Sequence, residues 1–130
     1  MQAGLGHLDA ARQALKTALQ LAPDNRETLE KLADLEFDHG FPADALPLTR
    51  RLCEMRPDHP DSLLKHGVIL GRLFMHREAV EHFHEALVRV PASPDLWAAL
   101  GQSLEYLGES AASERAYRKA LDLQPEWVMP

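Results

Sequence analysis

A chain of 130 residues, 45% of them hydrophobic, carries enough apolar surface for one compact domain or one short repeat array, and too much for a disordered segment. Its 20 acidic residues against 14 basic ones leave a formal net charge of −6, which repels nucleic-acid phosphates unless a basic patch is segregated, and the densest basic cluster is only Arg50, Arg51 and Arg56. No apolar run is long enough to enter and span a membrane, Met1 to Asp9 lacks the basic start and apolar core of a signal peptide, and a lone cysteine, Cys53, rules out an intrachain disulfide; these features suit the cytoplasm without excluding the periplasm.

Taken in chain order, residues 1–23 predict a single helix carrying Ala11, Leu15, Ala18 and Leu19 and stopped before Pro23, which cannot continue it. Residues 24–57 predict two helices separated by Gly40 and closed by Pro57. Residues 58–91 repeat that plan, except that the apolar pair Phe74-Met75 stands between the helices where glycine stood before. In residues 92–125 the first helix runs from Asp95 to Leu107, with Ser93 placed to cap it and Pro94 in its first turn. Gly108 then supplies the left-handed residue that ends it, and the second helix runs from Ser110 to Leu123. Residues 126–130 predict the start of a further unit.

Pro23, Pro57, Pro91 and Pro125 lie 34 residues apart, and other columns keep the same period. Gly6, Gly40, Phe74 and Gly108 form one; Ala11, Ala45, Ala79 and Ser113 another; Leu15, Thr49, Phe83 and Tyr117 a third; Leu19, Cys53, Leu87 and Leu121 a fourth. A repeat of this length means stacked helix pairs, each burying the face its neighbour leaves open.

The last unit reads Trp97-x2-Leu100-Gly101-x2-Leu104, then Ser113-x3-Tyr117, then Pro125; the unit before it reads Leu63-x2-His66-Gly67-x2-Leu70, Ala79-x3-Phe83, Pro91; the one before that Leu29-x2-Leu32-Ala33-x2-Glu36, Ala45-x3-Thr49, Pro57. The first segment supplies only Ala11-x3-Leu15 and Pro23. This resembles the tetratricopeptide-repeat (TPR) family, whose pattern is W-x2-L-G-x2-Y, A-x3-F, P. The resemblance implies an all-α, right-handed solenoid of antiparallel helix pairs, a TPR superhelix of about three and a half repeats forming one array. Glu36, Thr49 and His66 depart from the pattern and predict looser packing in the second and third units.

The resemblance further implies a concave groove lined by the first helix of each repeat, where a peptide or helical segment of a partner protein lies. Helical geometry places Glu27, Glu30, Lys31, Asp34, Phe37 and Asp38 on that face in one repeat, Leu64, Lys65, Val68, Gly71 and Arg72 in the next, and Asp95, Ala98, Ala99, Gln102, Glu105 and Tyr106 in the last. The acidic stripe Glu27, Glu30, Asp34, Asp38 reads either as a solvated face or as a patch for a basic or amphipathic partner. Leu64, Val68 and Gly71 predict a small apolar hollow, and Phe37 and Tyr106 read as anchors beside it or as core between repeats. A grip on a C-terminal carboxylate, known in chaperone adaptors of the family, is disfavoured because Glu30, Asp34, Asp95 and Ala99 stand where cations would be needed. Function is therefore expected to be a scaffold or adaptor without catalysis, cofactor or metal; the alternative is an accessory region of a larger enzyme such as a transferase, positioning substrate or mediating oligomerisation.

Other chemistry reads weakly. Five of seven histidines, His59, His66, His76, His82 and His84, fall in one unit, but His82 and His84 face apart on a helix and His66 sits in a core column. Cys53 shares its column with leucines and reads as a buried small hydrophobe. Gly4-Leu5-Gly6 lacks the rest of a phosphate loop. Both ends look cut, so faces around Leu5 and Leu8, and around Leu121, Trp127 and Val128, predict pairing between molecules.

Overall fold

The computed structural model describes residues 2–124, and side chains from residue 6 onward. Pro125, the unit expected at 126–130, and the apolar residues Leu5, Trp127 and Val128 lie outside that description. Seven helices and no strands occur among the described residues: α1 (Gln2–Leu21), α2 (Arg26–Asp38), α3 (Pro42–Met55), α4 (Pro60–Arg72), α5 (His76–Arg89), α6 (Pro94–Tyr106) and α7 (Ser110–Leu123). Each packs on its neighbours in the chain, and α4 also touches α6, as in an all-α TPR solenoid.

Local chemistry sets the boundaries. The side chain of Asn25 accepts from Thr28 N at 3.1 Å to start α2, and Ser93 Oγ accepts from Leu96 N at 3.3 Å to start α6. Proline opens α3, α4 and α6, where its missing N–H costs nothing. Gly40 and Gly108 turn the chain with φ of 87° and 79°. Phe74 does the same at φ 61°, an arrangement that costs an L-residue roughly 1–2 kcal/mol.

The main core joins α4 to α7 through Leu63, Leu70, Phe83, Leu87, Leu96, Leu100 and Leu104. A smaller one holds Leu29, Ala33 and Leu52 of α2 and α3, with Leu19 of α1 against it. Full burial of each large aliphatic side chain contributes about 1.5–3 kcal/mol. Ala33, Ala45 and Ala79, all fully buried, let helix axes approach closely.

The expected looseness at Glu36, Thr49 and His66 is not found. All three are buried, at 1%, 0% and 8% exposure. Arg12 of α1 donates to Glu36 Oε1 from Nε at 2.6 Å and to Oε2 from Nη2 at 3.3 Å, so the carboxylate replacing an aromatic is neutralised by the preceding helix. The hydrogen bond to Glu36 also holds the Arg12 guanidinium more firmly protonated than usual. The guanidinium lies 4.2 Å over the Phe41 ring as well. Thr49 Oγ1 lies 2.8 Å from His66 Nδ1, and the His66 ring meets that of His82 edge-on at 4.8 Å. His82 Nε2 donates to the carbonyl of Leu63 at 2.7 Å. Small polar groups thus fill the volume that larger apolar side chains occupy in the family pattern, with hydrogen bonds in place of apolar contact.

Candidate functional site

Helices α2, α4 and α6 stand side by side, and contacts between their side chains fix how the expected groove residues are arranged. Asp34 of α2 is ion-paired with Lys65 of α4. Burial lowers the Lys65 pKa, while the nearby Glu30 carboxylate opposes that shift. Phe37 is half-buried beneath the Arg72 guanidinium, 4.8 Å from the ring centroid. Of the acidic stripe, Glu27 and Asp38 are exposed, with no ion-pair partner among the described residues.

Between α4 and α6 lies a hollow of about 190 Å³. Gly67, Phe83 and Ser103 form its buried floor, and Val68, Gly71 and Ala99 line its sides. Its rim carries Arg72, Phe74, Gln102 and Tyr106, all exposed, with half-buried His76 between them. Gly67 has to be glycine, since a Cβ there would stand 2.2 Å from Phe83 Cζ. Gly71 has open space, with nothing within 4 Å of where its Cβ would be. Such a space is smaller than the roughly 300–1,000 Å³ of small-molecule sites, and fits one side chain rather than a cofactor.

Val68, Gly71, Arg72, Ala99, Gln102 and Tyr106 of the expected groove set meet at this hollow. Leu64 does not; it packs against the main core, because one step along the helix from buried Leu63 leaves it between core and groove. Ala98 is half-buried outside the hollow, and Glu105 accepts from the Tyr117 hydroxyl at 3.0 Å. Tyr106 is neither interior nor isolated: it is 65% exposed and stacks on His76, centroids 4.5 Å apart and planes within 4°. Sequence reading missed His76 and Phe83 here. The single available signal was Phe74 standing in a glycine column.

Among the described residues no three or more His, Cys, Asp or Glu side chains converge as a metal-ligand set, and no helix is long and apolar enough to cross a membrane. Cys53 is half-buried, its Sγ donating to the Ser62 carbonyl at 3.4 Å, and burial pushes its pKa up to about 11, the reverse of what activates a nucleophile.

Two family models described as tetratricopeptide repeat match the chain, over residues 2–60 and 94–127. Protein FlbA of Caulobacter vibrioides is 28% identical over 122 residues, which is 94% of this chain and 20% of FlbA, so the chain spans about a fifth of that relative's length. Among solved structures, a MamA structure superposes with TM-score 0.81 at 24% identity, covering 97% of this chain and 72% of MamA. YrrB, a TPR protein with an unusual peptide-binding site, superposes with TM-score 0.81 at 21% identity over 95% of this chain and 63% of YrrB. Likeness at these identities speaks for a common fold.

Proposed function

The chain belongs to the tetratricopeptide-repeat family, and from that membership we propose that it is a protein-interaction scaffold holding a peptide or helical segment of a partner against the α2–α4–α6 face. The observation that carries this reading is the hollow between α4 and α6, open on that face and rimmed by exposed Tyr106 and Gln102. The helices are ordered before binding, so little entropy is lost in forming the surface. Unpaired Glu27 and Asp38 favour a basic or amphipathic partner. The likeness to YrrB supports peptide binding as the mode. Work is done by a preformed surface, without a catalytic step.

Asp34 is a poor probe of this face because its charge is already matched by Lys65. Glu27→Lys with Asp38→Lys reverses charge without breaking an ion pair of the fold. Affinity capture with this variant should lose partners that wild type and an α5 control, Glu81→Lys with Glu85→Lys, both retain. Identical partner sets for all three, or loss in the control alone, would remove the groove reading.

A second reading, an accessory segment of a larger protein, draws support from the match to a fifth of FlbA. The full coding sequence around these residues tests it directly. Pairing of copies through the ends would use exposed Leu121 and half-buried Leu8; sedimentation as a monomer at high concentration would exclude it.

A further inference from the structure

Three turns in this chain are built on the same hydrogen bonds. Gly40 N donates to Phe37 O and Phe41 N to Glu36 O; Gly108 N donates to Glu105 O and Glu109 N to Leu104 O; Phe74 N donates to Gly71 O and Met75 N to Leu70 O. All three central residues have positive φ, and in two of them the residue is glycine. The third turn pays a conformational penalty for a phenylalanine that the turn does not require. Nor does burial repay it, since Phe74 is 83% exposed.

A second unfavourable feature lies beside it. Nδ1 of His76 is buried with no hydrogen-bond partner among the described residues. The His76 ring is held flat against Tyr106 and meets Phe74 edge-on at 6.2 Å. Strain, an orphaned polar atom and two exposed aromatics thus fall on one rim of one hollow. Its far side is Gly71, a helical glycine with nothing near its missing Cβ. None of these choices serves the fold, and together they keep a space open and give it an aromatic wall.

We infer that this hollow is a socket for one large apolar side chain of a partner peptide, aromatic or aliphatic, with a basic residue next to it in the peptide. The inference rests on the groove reading above and adds what the groove selects. Phe74 and Tyr106 supply ring faces for the apolar group, and such rings bind at low entropic cost. The basic neighbour follows from charge. Exposed Asp38 on α2 and Glu105 on α6 flank α4, whose own cation at that level, Arg72, is engaged over Phe37. The net charge of −6 acts in the same direction.

The test is selection of phage-displayed random dodecapeptides on the whole chain, followed by affinity measurement of the enriched synthetic peptides on three variants. Gly71→Leu fills the socket, Phe74→Gly removes one wall while relaxing the turn, and Glu27→Lys with Asp38→Lys alters the groove elsewhere. Both socket variants should melt no lower than wild type, so lost binding is not lost folding. The expected result is a consensus with one large apolar residue beside Lys or Arg, and affinity about tenfold weaker or worse in either socket variant. Should Phe74→Gly alone remain folded, it decides the matter. Peptides that ignore both socket variants yet weaken in the charge-reversed one overturn the socket and leave the groove. Absence of enrichment, or binding indifferent to all three variants, overturns both.

Discussion

Replacing Gly67 by alanine drives a methyl group into the ring of Phe83. The new Cβ would lie 2.2 and 2.3 Å from two ring carbons, whereas carbons in contact rest about 3.5–4.0 Å apart, so the ring must retreat by more than an ångström. It has nowhere to go: Phe83 is 1% exposed and packed among Leu63, Leu87, Leu96 and Leu100. Overpacking of this kind costs roughly 1–3 kcal/mol, and the ring's confinement places Gly67→Ala at the upper end. Alanine in a helix returns about 1 kcal/mol of that, leaving a net loss of about 2 kcal/mol. For a chain of this size the melting temperature should fall by roughly 5–8 °C. Thermal and urea unfolding followed by circular dichroism measure it. Two glycines serve as internal controls. At Gly101 the Cβ would lie 3.1 Å from the half-buried Tyr117 ring, which can shift by a few tenths of an ångström, so Gly101→Ala should be close to neutral. At Gly71 nothing is within 4 Å, and Gly71→Ala should be neutral or slightly stabilising. Phe83→Leu should rescue part of the loss in Gly67→Ala but be destabilising alone. If Gly67→Ala melts with the two controls, α5 does not lay Phe83 on α4 as described, and the helix-pair register is wrong.

The His66–His82 pair makes stability depend on pH. Burial first, then the charges of His82 and Arg50, lower the His66 pKa from 6.5 to about 4, and burial lowers that of His82 too. Both rings are therefore neutral in the folded chain, and the unfolded chain binds protons more readily. Their contribution is intact above about pH 6.5 and is lost as pH falls toward 4, by at most about 3 kcal/mol for His66. Urea midpoints across that range check the slope, which His66→Leu should flatten; an equally steep profile in that variant would refute the assignment. Arg12→Leu should lower the melting temperature by stranding buried Glu36, and Arg12→Leu with Glu36→Leu should recover most of the loss, whereas an unchanged melt in the single variant would show that Arg12 does not hold Glu36. Because burial raises the Cys53 pKa from 9.0 to about 11, its alkylation near pH 8 should be about 100-fold slower in the folded chain than in urea, and equal rates would place the thiol at the surface.

Helix pairs, their turns and their number were legible in the residues because each is a local property. A proline fixes its own φ, Ser93 and Asn25 cap the helices that begin beside them, and glycine accepts a positive φ wherever it stands. Repetition at 34 residues then multiplies a weak local signal into a firm statement about stacking. The groove was legible only as a face of each first helix taken separately. Which side chains meet across helices depends on the angle and register of stacking, and no single stretch of sequence contains either. That is why Glu36 and Thr49 looked like defects until Arg12 and His66 arrived beside them from other helices. For the same reason Asp34 looked like part of a free acidic stripe until Lys65 was placed against it, and Leu64 looked like groove until the core claimed it. The hollow itself belongs wholly to tertiary structure, since its lining comes from α4, α5, α6 and one turn that are brought together only when successive pairs pack.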